Sequence, residues 1–430
     1  MPAGWLERVD WAFTSSRFLA FGHDFGIRTM DPALGRYVAQ ALGSLGAPGR
    51  PASWYSFVDR GPQLERRYAL YFNGQPEVLS GSPRTTLSRL LWHVNRAAVA
   101  SCADQVLVHA AAAEHDGRAL LFPAPMEAGK TTLVAGLVRA GLRYLTDEAA
   151  AIDPGSLRVS GLAKPLTIDS GSWNVLAELE PAVDPQVKHY MDTRWHVDVR
   201  TIRTDALAVS AAPAYVIVPR YVPGAKTALA ALGRPQALVA LCENSFNLNE
   251  LGQGGLSALA SVVRASSCYR LVVGDLRAAT SLILDLLAGS EPVATTSNYE
   301  TGIGDAPRSV GEGTARMIDG TWLPMPRPSA ASVEIDGESV LLDCAMGVVH
   351  HLDAVGTLIW ACFDGSTSID RLAADLSGAF AATEHGVRRD LLAFVRSLDR
   401  RGLLASPGGP SAGCVDEGIA GGPQRPGASG

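Results

Sequence analysis

Residues Leu120 to Asp153 read LLFPAPMEAGKTTLVAGLVRAGLRYLTDEAAAID, and this stretch constrains the fold more than any other. Gly129, Lys130 and Thr131 close a loop of the pattern G-x-x-x-x-G-K-[ST], with an apolar run before it and a helical pattern, about Thr131 to Ala140, after it. A strand, a loop of small residues and a helix in that order put backbone N–H groups around phosphate oxygens. The expected loop is Ala124, Pro125, Met126, Glu127, Ala128, Gly129, Lys130, Thr131 and Thr132. Lys130 is expected to reach the β and γ phosphates and the Thr131 hydroxyl to ligate Mg²⁺, so ATP and Mg²⁺ are the expected cofactors. Ala124 stands where the pattern has its first glycine, so a positive φ there would be strained, and Glu127 adds negative charge close to the phosphates. The competing reading is a tight strand-to-helix turn that uses glycine and lysine for packing alone.

Other candidates flank the loop. Gln105 to Ala113 and Arg118 to Phe122 are apolar runs joined by a polar turn, which predicts a hairpin feeding the loop. His109, in the first run, is either a satisfied core histidine or an active-site residue. Arg143 to Ile152 reads as a strand carrying Asp147 and Glu148. Because neighbours on a strand face opposite ways, one of the two carboxylates faces the phosphates unless the strand ends there. That carboxylate could hold Mg²⁺ or take a proton from an attacking hydroxyl; the alternative is an acidic pair on a solvated strand end. Further on, Val159 to Ile168 offers strand material with Lys164, and Ala214 to Tyr221 is a buried-looking strand ending in Arg220. Each of these cations is a candidate clamp for phosphate or carboxylate, or a surface charge.

The chain of 430 residues has room for two or three domains. Its formal charge of −6 opposes general nucleic-acid or anionic-membrane binding, and no run is long and apolar enough to span a bilayer. Six scattered cysteines without metal spacing, and an amino terminus without signal-peptide character, lead to an expected cytoplasmic location. Residues 1–103 read as a small α+β region, with Asp31-Pro32 and Ser82-Pro83 starting helices and Asn73-Gly74 turning a hairpin. Residues 104–289 continue as mixed α/β. A Gly/Ser/Thr/Pro-rich linker follows at 290–316, then a second domain at 317–405 and a Gly/Pro/Ser tail at 406–430 expected to be disordered.

Within 317–405, Ser332 to Ile335, Ser339 to Asp343 and Val348 to His351 read as short strands. Asp353 to Phe363, Ser368 to Ala379 and Glu384 to Arg401 read as helices. The pattern is winged-helix-like, yet Ser332 to Ala405 holds six basic residues against eleven acidic ones, which suits a DNA duplex poorly. The arginines gather on the last helix, a face that suits an acidic extended peptide docking on an exposed strand edge.

The run VHAAAAEHDGRALLFPAPMEAGKTTLVAGLVRAGLRYLTDEAAAID resembles the catalytic core of the HPr serine kinase-like family over roughly residues 100 to 290, and residues 1 to 100 resemble the amino-terminal region of its HPr kinase-related branch. The resemblance implies an α/β P-loop kinase-like core of HPr kinase/PEP carboxykinase type. Lys130 would bind phosphates and Thr131 the metal, Asp147 would be the catalytic base, Glu148 a metal or base partner, and His109 an active-site residue. Glu148 stands where true HPr kinases usually carry a second aspartate, and their downstream glycine-rich signature has no counterpart here. VEIDGESVLLDCAMGVVHHLDAVGTLIWACFDGSTSIDRLAADL resembles a PqqD-type peptide recognition element. In that family a leader peptide adds as a strand beside the third strand and lies against the third helix, which implies Val348, Val349 and His350 with Arg388 and Leu392.

Together the resemblances imply an ATP-dependent kinase, similar to those of lasso-peptide pathways, that phosphorylates a hydroxyl of a precursor peptide whose leader the carboxy-terminal domain holds. A homo-oligomer fits because HPr kinases assemble into oligomers. A peptide-binding protein with a degenerate nucleotide site, and a nucleotide-gated regulator, are the alternatives.

Overall fold

The computed structural model describes residues 5–191, 194–290, 316–379 and 382–405; the expected linker core and tail lie outside these residues. Its packing divides the chain into two compact units. One takes the described residues of Met1–Asp305 together with Ala331–Thr357, the other those of Ala306–Ala330 with Leu358–Gly430.

The first unit opens with a seven-stranded sheet, in which Arg17–Ala20, His23–Thr29, Trp54–Asp59, Tyr68–Phe72 and Gln75–Ser80 lie side by side. Local signals account for its connections. Asp31 accepts from the backbone N–H groups of Ala33 and Leu34 to cap the helix Pro32–Ala41, and Ser82 accepts from Thr85 N–H to cap Pro83–Ala100. Asn73 and Gly74 both take positive φ, 46° and 84°, as a two-residue hairpin turn requires. The strand Trp54–Asp59 carries no such punctuation and was not anticipated.

A nine-stranded sheet follows, in two parts joined by the long strand Ser210–Tyr221. In one part Ser210–Tyr221 runs parallel to Arg118–Pro123 on one side and to Ser267–Val273 on the other. Ala110–His115 and Arg143–Thr146 extend this part antiparallel. In the other part Ser210 and Ala211 pair with Val159–Gly161, which leads to Ala150–Ile152 and Val106–Val108. Two of the expected strands are therefore broken. Gln105 to Ala113 divides at His109, and Arg143 to Ile152 divides at Asp147-Glu148, because the chain changes sheet part at each point.

The three-stranded sheet Ala330–Ile335, Glu338–Asp343, Val348–Leu352 packs on the helices Arg234–Glu243 and Leu248–Arg264. Ala331, Ile335, Val340 and Leu342 share one core with Leu238, Leu241, Leu256 and Leu259. Gln253 bonds both backbone groups of Ser332, and Arg264 donates to the Glu334 carbonyl at 2.6 Å. The unit division thus runs through the segment read from sequence as one domain, because apolar burial ties its strands to the first unit. In the second unit, Ile369–Ala379 packs on Glu384–Arg400, and Arg396 donates to the Ile318 carbonyl. Among the described residues no helix is long and apolar enough to cross a membrane.

Gly161 marks a close approach between the sheet parts: a Cβ there would lie 2.2 Å from the Leu145 carbonyl oxygen. Gly161→Ala is expected to destabilise the protein by about 1–3 kcal/mol, read from the urea midpoint at unchanged m-value.

Candidate functional site

The loop 124–129 leaves the carboxyl end of Arg118–Pro123 and enters the helix Lys130–Arg139, with Gly129 as N-cap in the left-handed region at φ 83°. The second left-handed residue of the loop is Glu127, φ 64°, while Ala124 is buried without a positive φ. The condition for strain at Ala124 is not met; the left-handed non-glycine residue is Glu127, an exposed side chain in a conformation that costs about 1–2 kcal/mol. Met126 is 79% exposed at the loop tip. Thr132 Oγ1 lies 2.7 Å from Ser172 Oγ, which ties the helix start to the turn Ser170–Val175.

Lys130 is only 6% exposed, and its Nζ donates to the carbonyls of Ala124 and Pro125, both at 2.7 Å. Burial pushes its pKa down to about 8, against the pull of Glu148 and Asp147. The hydroxyl of Thr131 donates to Asp147 Oδ2 at 2.9 Å. On the other oxygen, Asp147 Oδ1 accepts from Tyr144 OH at 2.7 Å and pairs with Lys164 Nζ at 2.8 Å. Lys164 also stands 3.6 Å from Glu148 Oε2. Burial pulls the Lys164 pKa down, but the two carboxylates outweigh it and hold the ammonium above its ordinary value.

The sheet change at Asp147-Glu148 lets both carboxylates meet one cation, which a continuous strand would forbid. Asp147 is buried with three partners, whereas the Glu148 side chain is 37% exposed. Lys164, read from sequence as a clamp or a surface charge, is a buried partner of the acidic pair, sitting between Val159–Gly161 and Leu166–Asp169. Sequence reasoning missed Tyr144 altogether. A tyrosine three residues before an acidic pair carries no motif; the signal was its place inside an apolar strand, where a hydroxyl needs a partner.

His109 is half-buried at the other sheet change. The connector between the two helices holds it there: His109 N–H donates to the Asn244 carbonyl at 2.6 Å and Phe246 N–H to the Leu107 carbonyl at 2.8 Å. Asn247 bonds Leu107 N–H and the Gln105 carbonyl through its side chain. The ring of Phe246 lies 5.6 Å from the His109 ring. Burial, then the charge of Lys130, lowers the His109 pKa to about 4, with Asp147 opposing and Lys164 adding to the fall. His109 thus feels the charges of the site. Arg220 is exposed at the carboxyl end of Ser210–Tyr221; its neighbour Tyr221 approaches Gly129, where an added Cβ would lie 3.9 Å from Tyr221 Cβ.

Val348, Val349 and His350 lie on Val348–Leu352, the edge strand, which among the described residues pairs only with Glu338–Asp343. Val348 is 40% exposed, and Val349 packs against the core shared with Leu238 and Leu241. Arg388 and Leu392 belong to the helix Glu384–Arg400 of the second unit, where Arg388 donates to Asp370 at 2.6 Å and Leu392 is buried.

Comparison with known proteins bears on this last segment. The family model described as Coenzyme PQQ synthesis protein D (PqqD) matches residues 338–404. No curated protein matches the chain. Among solved structures, one similar to this chain is TbiB1 in complex with the TbiA(beta) leader peptide, 30% identical, covering 19% of this chain and 93% of that one, with a TM-score of 0.18. The protein is therefore a mixed α/β chain of several sheets with a PqqD-type domain at its carboxy-terminal side.

The chemistry open to the loop region is that of an anion at a helix start beside hard oxygen donors. An acid dependence of stability is expected from His109. The folded-state pKa of about 4 lies below the ordinary 6.5, so the unfolded chain binds more protons between these values. Stability from this group is complete above pH 6.5 and is lost as pH falls toward 4. In urea titrations from pH 7 to 4, His109→Gln is expected to flatten that part of the acid limb.

Proposed function

We propose that the protein is an ATP-dependent kinase that transfers a phosphoryl group to a hydroxyl of a precursor peptide, a serine first among candidates, while the PqqD-type domain holds the peptide's leader. The observation that carries the reading is the convergence of Lys130, Thr131, Asp147, Glu148 and His109 beside a glycine-ended helix start.

The residues fit a nucleotide and its metal. The Lys130 ammonium spends its donors on two loop carbonyls, which phosphate oxygens can replace. Thr131 and Asp147 offer adjacent oxygens, and Glu148 a third. Among the described residues no group of three or more His, Cys, Asp or Glu forms a metal cage. Magnesium ordinarily does without one, since it keeps waters and takes phosphate oxygens beside one or two protein ligands. Mg²⁺, when bound, supplies charge neutralisation at the β and γ phosphates.

Lys130 binds and neutralises phosphate oxygens, and the N–H groups of the helix start orient them. Thr131 and Asp147 hold the metal side. Asp147, three times bonded, stays in one orientation. Glu148, being partly exposed, is the carboxylate an acceptor hydroxyl can reach, so it takes or orients that proton. His109 with its lowered pKa is neutral at pH 7, which lets it donate or accept a hydrogen bond at the acceptor without repelling Lys130. The edge strand Val348–Leu352 receives the leader as an added strand, and tethering raises the local concentration of the weakly held core segment.

The test is incubation with Mg·ATP and the precursor peptide, read by intact mass, with leader binding followed separately by fluorescence anisotropy. A phosphoryl gain in wild type, and its loss by at least about 100-fold in Lys130→Ala with leader affinity unchanged, is the expected result. Leader binding without any phosphoryl gain overturns the kinase reading. Glu127→Gly, which relieves the left-handed strain and removes a negative charge, is expected to tighten ATP binding about three- to tenfold by calorimetry.

A further inference from the structure

We propose that Lys164 is a positioning residue of the nucleotide site, which fixes Asp147 and balances the acidic pair so that a polyanionic nucleotide can approach before its metal is in place. The inference rests on the reading of the loop as a nucleotide site. Lys164 is 4% exposed, and its closest polar contact is Asp147 Oδ1 at 2.8 Å, with Glu148 Oε2 at 3.6 Å. Contacts to the Pro165 carbonyl and Thr167 Oγ1 are long, both 3.5 Å, so the carboxylates are its principal partners. No phosphate-loop pattern calls for this lysine, and it lies behind the acidic pair, sealed from solvent.

Three bonds orient Asp147. Tyr144 OH and Lys164 Nζ take Oδ1, and Thr131 Oγ1 takes Oδ2, which leaves the carboxylate no freedom to rotate without breaking an ion pair. Around the loop, the cations Lys130 and Lys164 face the anions Asp147 and Glu148. Apart from the solvent-exposed Glu127 of the loop, whose charge is the same in every variant, the four groups sum to zero with Lys164 and to −1 without it, close to where the phosphates of ATP would lie. Coulomb repulsion in a largely buried site is weakly screened, so a single uncompensated charge moves anion affinity measurably. Mg²⁺ masks the effect because it supplies positive charge at the same carboxylates.

ATP affinity measured by calorimetry with excess EDTA, then with Mg²⁺, tests the assignment on the full chain. Lys164→Met is expected to bind metal-free ATP about tenfold more weakly than wild type, and to recover to within about threefold when Mg²⁺ is present. Lys164→Met can fold poorly because it strands Asp147. The double variant Lys164→Met/Asp147→Asn removes both buried charges, keeps the balance, and is expected to match wild-type metal-free affinity within about threefold. Asp147→Asn alone leaves a cation in excess and is expected to bind metal-free ATP about tenfold more tightly. A merely structural lysine would weaken binding equally with and without metal and would not order the variants by charge. Affinities that ignore the charge series overturn the proposal while leaving the nucleotide reading intact. A wild type that binds no ATP under either condition overturns both.

Discussion

The contact on which the central architecture turns is the buried pair of Asp147 and Lys164. Two ions this deep cost several kcal/mol each to desolvate, and removing one partner would strand the other at a cost of about 3–5 kcal/mol. The surrounding structure satisfies the cost with hydrogen bonds. Tyr144, itself sealed, gives its hydroxyl to Asp147, and Thr131 closes the remaining oxygen from the first turn of the loop helix. The strand Arg143–Thr146, the loop helix and the connector holding Lys164 are therefore held in one arrangement. Gly161 follows from the same demand: the chain leading to Lys164 passes against the Leu145 carbonyl with no room for a side chain.

Much of the frame was legible in sequence because its signals are local. Asp31-Pro32, Asn73-Gly74 and Ser82-Pro83 each act within four residues, and the helices begin where these residues say they do. The strands and helices after Ala330 fall within two residues of their expected ends, since alternation and turn residues bound them. The loop helix was legible for the same reason. The two sheet changes were not. An apolar run such as Gln105 to Ala113 looks the same whether it stays in one sheet or moves to another at His109, because the choice is made by partners over a hundred residues away.

The site was legible in the same uneven way. Lys130 and Thr131 were nominated by a spacing that has a mechanism, and they stand at the glycine-capped helix start that this spacing calls for. Asp147 and Glu148 could be nominated, but their division into a fixed carboxylate and a reachable one depends on burial that only Tyr144 and Lys164 explain. The consensus glycine raised the question of a left-handed residue at Ala124, whereas the backbone places the loop's left-handed non-glycine residue three positions on, at Glu127. A consensus records which residue usually stands at a position. It does not record which φ this particular loop adopts.

His109 adds a link that neither motif suggests. Its backbone is pinned by residues 244–247, the connector between the helices Arg234–Glu243 and Leu248–Arg264. Those helices carry the three-stranded sheet, and Val106 and Val108, just before His109, share a core with Val340 and Leu342. Close-packed cores transmit small displacements rather than absorbing them, because side chains have few alternative places to go. The strand Val348–Leu352, which among the described residues pairs only with Glu338–Asp343, and the histidine beside the loop are thus parts of one packed body. A shift of that sheet would be felt at the connector, where two backbone hydrogen bonds and one buried asparagine leave little slack.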